Sequence, residues 1–133
     1  MIIGIGIDCI DINRFEHWHT YDNKRLLRLF SPEEIDYCRS SIAHSSARFA
    51  VRFAAREALY KAMSQIDPMH TIPFLTLCRA TRVINESVKA PFLKVDYDFI
   101  KNYCITSRLT HANLLLSLTH AKKIAAAVVI IES

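Results

Sequence analysis

Between Ser45 and Met63 the chain contains neither Gly nor Pro, and Ala fills positions 47, 50, 54, 55, 58 and 62. Ala is the strongest helix former and nothing here breaks a helix, so the stretch predicts one long, central helix of roughly five turns. At about 100° per residue, Arg48, Arg52 and Arg56 fall in one stripe, while Glu57 and Lys61 lie well round from it beside Ala50 and Ala54. Two readings of that pair are open. It is either an i, i+4 salt bridge on a solvated face, or a small-residue face that closes on a charged ligand.

The remaining elements must be arranged round this helix. Met1 to Asp8 is a β-branched run with Gly4 and Gly6 at alternating positions, the pattern of a strand that another backbone approaches closely. Asp8 ends it, either as an N-cap for the next helix or as a ligand. Asp11 to Phe30 has a helical pattern, one or two helices, with a basic surface of Arg14, Lys24, Arg25 and Arg28. Ser31-Pro32-Glu33-Glu34 starts a new helix, with Ser at the cap, Pro at the first position and Glu at the third. Ser64 to Pro68 breaks the long helix. Strands are then predicted at Pro73 to Val83, Phe92 to Tyr97, Leu114 to Thr119 and Ile124 to Ile131, paired as two antiparallel hairpins, with a short helix between Phe99 and Arg108. The class is α+β, a long central helix packed on an antiparallel sheet, in a single domain over 1–133.

A chain of 133 residues with 51% hydrophobic content buries enough surface to need no staples. The longest apolar run, Ile124 to Ile131, is far short of the 18 or so residues that span a bilayer, and the opening stretch holds Asp8 and Asp11 without the basic lead of a signal peptide. Membrane association is therefore not expected. Cys9, Cys38, Cys78 and Cys104 form no C-x-x-C pair, which speaks against a zinc ribbon or redox site and for four reduced, small apolar residues in the cytoplasm. His17 and His19 flank Trp18 at i, i+2, so on a helix they point to different faces and do not share a metal. With only two glycines no P-loop exists, and no Ser-His-Asp triad is visible.

Asp8 and Glu57 are the carboxylates whose positions suit a hard cation. Mg²⁺ is commonly held by one or two carboxylates, with substrate phosphates and waters completing its octahedron. Lys61, one turn beyond Glu57, reaches the same phosphates as a point charge. Ser117 and His120 stand at the end of the penultimate strand, where a hairpin turn can present them to a ligand.

The run Ile3-Gly4-Ile5-Gly6-Ile7-Asp8 with Asp11 and Arg14 is similar to the first motif of the bacterial holo-(acyl carrier protein) synthases, the small trimeric 4′-phosphopantetheinyl transferases. Arg52-Phe53-Ala54-Ala55-Arg56-Glu57-Ala58 with Lys61-Ala62 resembles the second motif, and Ser117-Leu118-Thr119-His120 the closing hairpin. The resemblance runs end to end. It implies the 4′-phosphopantetheinyl transferase fold and transfer of the phosphopantetheine arm of coenzyme A to a serine of apo acyl carrier protein, releasing 3′,5′-ADP, in fatty acid biosynthesis. It assigns Asp8 and Glu57 to Mg²⁺, Lys61 to the pyrophosphate, and His120 to coenzyme positioning. The base is left between Glu57 and a metal-held water beside it. It further implies a homotrimer with each coenzyme site between subunits, where Arg52 meets coenzyme phosphates. The segment with Arg14, Lys24, Arg25 and Arg28, apart from the metal motif, then faces the acidic carrier. Three positions depart from the family pattern. Met63-Ser64-Gln65-Ile66 replaces the usual Gly-Thr-Gly, so that either Ser64 or Gln65 holds the coenzyme by side chains or the loop binds it less tightly; Arg56 replaces Lys; and Lys89-Ala90-Pro91 alters the middle turn.

The formal net charge of +4 suits an acidic protein partner. It suits nucleic acid equally, so the rival reading is a small basic nucleic-acid-binding α+β domain. That rival accounts for the Arg and Lys stripes but not for Asp8 and Glu57, and no RNP or K-homology signature is present. A structural subunit that kept the fold and lost the chemistry is a third reading.

Overall fold

The structure, a computed structural model, describes every residue except His70, Thr71, Cys104 and Ile105, together with the side chain of Thr106. The Ala-rich stretch forms α3, Ile42–Ile66, 25 residues long and extended at both ends beyond the predicted span. Strand β1, Ile2–Asp11, lies directly across it. The two glycines permit this approach: a Cβ on Gly4 would stand 2.4 Å from the carbonyl oxygen of Ala62, and one on Gly6 only 1.8 Å from that of Ala58. Small residues on both sides of the contact bring the backbones together, as the sequence pattern required.

β1 pairs antiparallel with β5, Ile124–Glu132, which pairs antiparallel with β4, Asn113–His120. The order β1-β5-β4 makes the N-terminal strand an edge of the sheet on which α3 packs. Along β5, Ala125, Ala127, Val129 and Ile131 face α3 and are buried. The opposite face is apolar but uncovered, with Ile5 50%, Ile7 63% and Leu115 44% exposed, and Val128 and Ile130 paired between them.

A second hairpin joins β2, Thr81–Ile84, and β3, Phe92–Val95. Only the last residues of the predicted strand Pro73 to Val83 are extended. Phe74–Ala80 is a helix, α4, with Leu77, Cys78 and Ala80 turned into the core. Pro73 opens it and the Thr81 hydroxyl closes it by donating to the Leu77 carbonyl at 2.7 Å. Aromatic and β-branched content favoured a strand there; burial at helical spacing prevailed.

The predicted helical region Asp11 to Phe30 divides into two 3₁₀ turns, Ile12–Phe15 and Trp18–Thr20, and a one-turn α1, Asn23–Leu26. Asp22 caps α1 by accepting from the Arg25 amide at 2.8 Å. Helix α2, Pro32–Arg39, starts with the anticipated capping box between Ser31 and Glu34. The helix expected between Phe99 and Arg108 reduces to α5, Thr106–Leu109, partly preceded by turn, and its middle falls outside the described residues. Cys38 and Cys78 are free and buried; Cys9 is free but exposed, which corrects its expected apolar setting, and Cys104 lies outside the described residues.

Candidate active site

Asp8 is not an N-cap. β1 continues three residues past it to Asp11, and strand alternation turns Asp8, like Gly4 and Gly6, toward α3. There Lys61 Nζ donates to Asp8 Oδ1 at 2.9 Å and to the Ile7 carbonyl at 3.0 Å. Glu57, one turn earlier on α3, is half-buried beside them. Its carboxyl pKa is pushed up, first by burial and then by the negative charge of Asp8, against the pull of Lys61 and Arg14. The i, i+4 pair of Glu57 and Lys61 is thus no isolated surface bridge. It meets a second carboxylate from a strand 50 residues distant in sequence.

The donor set suits a magnesium ion. Two carboxylates crowd each other enough to disfavour ionisation of one, and a hard divalent cation between them would reverse that cost. Among the described residues no group of three or more His, Cys, Asp and Glu gathers as a metal site, so the chain would offer a metal only these two carboxylates. Arg14, on the 3₁₀ turn that follows β1, acts on Glu57 and so does not stand apart from this centre as its sequence position suggested. Lys24, Arg25 and Arg28 do stand apart, exposed on and beside α1. Arg25 covers the Tyr21 ring at 3.9 Å, and with Arg28 it borders a cavity of about 240 Å³ floored by Trp18, Leu26, Leu29 and Leu75.

The arginine stripe of α3 turns inward. Arg52 is 3% exposed, its guanidinium 4.5 Å from the Tyr37 ring centre, and its Nη1 donates to the Arg48 carbonyl at 3.1 Å. Its Nε is buried with no hydrogen-bond partner among the described residues. Arg48 donates to the Tyr37 carbonyl and to Ser40 Oγ, each at 2.8 Å. Both arginines line a cavity of about 320 Å³ together with Tyr37, His44, Asn85 and His120. None of Asp8, Glu57 and Lys61 borders it. Arg52 and Glu57 stand about 140° apart round α3, so one copy presents the carboxylates and this basic cavity on different sides of the helix.

Arg56, the third residue of the stripe, is fully buried. It donates to both oxygens of Glu34, at 2.9 and 2.6 Å, to the Thr81 carbonyl at 2.6 Å and to the Cys78 carbonyl at 3.3 Å. This clamp on α2, α4 and β2 escaped the sequence reading, which saw Glu34 only as the third residue of its helix. Ser64 and Gln65 were expected in a loop; both are helical, because without Gly the helix continues to Ile66. The Ser64 hydroxyl donates to the Tyr60 carbonyl at 2.8 Å, and Gln65 Oε1 accepts from the Ile5 amide at 2.9 Å. Each side chain thus has a partner within the fold, and Gln65 ties β1 to the end of α3. Ser117 faces the uncovered side of the sheet, away from the cavity side to which His120 belongs.

Residues 4–127 match the family model described as the 4′-phosphopantetheinyl transferase superfamily. A holo-[acyl-carrier-protein] synthase of Treponema denticola is 38% identical over 132 residues, covering 99% of each chain. One from Geobacter sulfurreducens is 34% identical over 137 residues, covering 99% of this chain and 98% of the relative. Among solved structures, a holo-(acyl-carrier-protein) synthase from Bacillus anthracis in complex with CoA (3′,5′-ADP) superposes with a TM-score of 0.74 at 28% identity, covering 100% of this chain and 98% of that one. The matched span runs from β1 through α3 into the final hairpin, and the chain belongs to the 4′-phosphopantetheinyl transferase superfamily.

Proposed function

We propose that the protein is a holo-(acyl carrier protein) synthase, moving the 4′-phosphopantetheine arm of coenzyme A to a serine of apo acyl carrier protein and releasing 3′,5′-ADP. The observation that carries this reading is the convergence of Asp8, Glu57 and Lys61 where β1 crosses α3. Asp8 and Glu57 would hold Mg²⁺, which supplies charge neutralisation on the pyrophosphate during attack by the serine hydroxyl. Lys61 moves its ammonium from Asp8 to the pyrophosphate and stabilises the charge that grows there in the transition state. Glu57, beside the metal position, accepts the serine proton either directly or through water. The cavity of Arg48, Arg52, His44 and His120 takes the phosphate-bearing nucleotide end of the coenzyme, drawn by the charge of its two guanidinium groups.

The two half-sites lie on different sides of α3, which supports a homotrimer that joins the carboxylates of one copy to the basic cavity of the next. The uncovered apolar face of Ile5, Ile7, Leu115, Val128 and Ile130 supports the same assembly. Lys24, Arg25 and Arg28 face the acidic carrier. A nucleic-acid partner is disfavoured because Arg52 and Arg56 of the basic stripe are buried. No helix among the described residues is long and apolar enough to cross a membrane. The free thiols of Cys9, Cys38 and Cys78 suit a cytoplasmic setting and the fatty acid pathway found there.

Incubation with coenzyme A, Mg²⁺ and a recombinant bacterial apo acyl carrier protein tests the reading by mass spectrometry of the carrier. One phosphopantetheine arm is gained, and Asp8→Ala or Glu57→Ala, folded by circular dichroism, loses most of the rate. An unmodified carrier with the parent enzyme overturns the reading, and full activity in either variant overturns the metal assignment.

A further inference from the structure

Arg39 closes α2, and its side chain leaves that helix altogether. Its Nε donates to the His19 carbonyl at 3.3 Å, Nη2 to the Tyr21 carbonyl and Nη1 to Asn23 Oδ1. The three acceptors span five residues of the segment that joins the Trp18–Thr20 turn to α1. That stretch is otherwise held by short local bonds, Thr20 N–H to the His17 carbonyl and Tyr21 N–H to the Trp18 carbonyl. Arg39 adds charge-assisted bonds from 16 to 20 residues away. On its inner side the segment rests on aromatic packing, Trp18 lying against Phe15 at 4.4 Å and against Phe30, Phe49 and Phe53 at 6.1 to 6.2 Å between ring centres. Arg39 secures the side that this packing does not reach.

We propose that Arg39 is a positioning residue for the carrier-binding surface, fixing the 19–23 segment so that Tyr21, Arg25 and Arg28 and the cavity beside them keep one shape for an acidic helical partner. The inference rests on the carrier reading given above for Lys24, Arg25 and Arg28. Arg39 touches none of Asp8, Glu57, Lys61 or the cavity of Arg48 and Arg52. A segment ordered only part of the time weakens apparent carrier affinity by the fraction of time it is ordered, and leaves the coenzyme side alone.

The test is Arg39→Ala with steady-state kinetics varying each substrate in turn, using coenzyme A, MgCl₂ and a recombinant bacterial apo acyl carrier protein. The carrier KM is expected to rise roughly tenfold, with kcat at saturating carrier and the coenzyme KM within about twofold of the parent. Arg39→Lys, which keeps one donor group for the carbonyls, restores part of the affinity. Trp18 is the only tryptophan of the chain and immediately precedes the segment, so acrylamide quenching of its fluorescence reads local order without any substrate. Quenching is expected to rise in Arg39→Ala. Should that variant fail to fold, Asn23→Ala removes one exposed acceptor and shifts quenching and carrier KM in the same direction, by about twofold.

Unchanged quenching, or equal loss on the coenzyme and carrier axes, overturns the proposal. A parent enzyme that leaves the carrier unmodified overturns the carrier reading instead, while the quenching result still decides whether Arg39 orders the segment.

Discussion

At Lys61 one ammonium group is shared between the Ile7 carbonyl and Asp8, with half its side-chain surface still open to solvent. A cation held that loosely is free to exchange a carboxylate for a pyrophosphate. Lys61→Met keeps most of the stem and removes the charge, so kcat is expected to fall about a hundredfold, with a much smaller change in the coenzyme KM. A change confined to KM would place Lys61 in ground-state binding. Asp8, Glu57 and Lys61 were legible in the sequence because their spacing on α3 and the end of a Gly-bearing strand each carry a signal. The Arg14 contribution to Glu57 was not, since it depends on how the chain leaves β1.

Elements meet through contacts that the sequence announces only on one side. Gly6 and Ala58 let β1 lie on α3, and Gly6→Ala would drive a Cβ into a backbone carbonyl that cannot swing away as a side chain can. The variant is expected to lose about 3 kcal/mol or more in urea unfolding, and parental stability would show that β1 does not press on α3 there. Glu34 links α2 to the rest through Arg56. Burial alone would raise its pKa, but the Arg56 charge and hydrogen bonds from Arg56, Ser31 and Val83 hold it below the ordinary 4.5. A depressed carboxyl stabilises the fold above its unfolded pKa and loses that contribution as pH falls through the folded one. Stability should therefore decline below about pH 4.5, and Glu34→Gln should flatten that decline while costing about 3 kcal/mol at neutral pH by leaving Arg56 unpaired. Thermal denaturation from pH 3 to 7 checks both signs; an acid decline as steep in Glu34→Gln as in the parent would assign it to other carboxylates.

For the whole molecule the uncovered sheet face is decisive. Ile5 is half exposed beside Ile130, and Ile5→Lys places a charge where a second copy is expected. Light scattering should then report a species of lower mass than the parent, and transfer activity should fall more than tenfold because each copy lacks its neighbour's basic cavity. A fully active monomer would mean that one chain carries a complete site.

The sequence by itself determined the middle of α3 though not its ends, the close approach to β1, the α2 cap and both hairpins, because each rests on local pattern: Ala without breakers, Gly at alternating positions, Ser-Pro-Glu-Glu, and apolar runs divided by polar turns. It also singled out the carboxylates and Lys61. Only the tertiary structure decided which side of the arginine stripe is buried, because three arginines at i, i+4, i+8 look alike until Glu34, Tyr37 and the Thr81 carbonyl are brought to them. It likewise converted Phe74–Ala80 from the predicted strand to helix. In each case the partner lies elsewhere in the chain, and burial against that partner outweighs local preference.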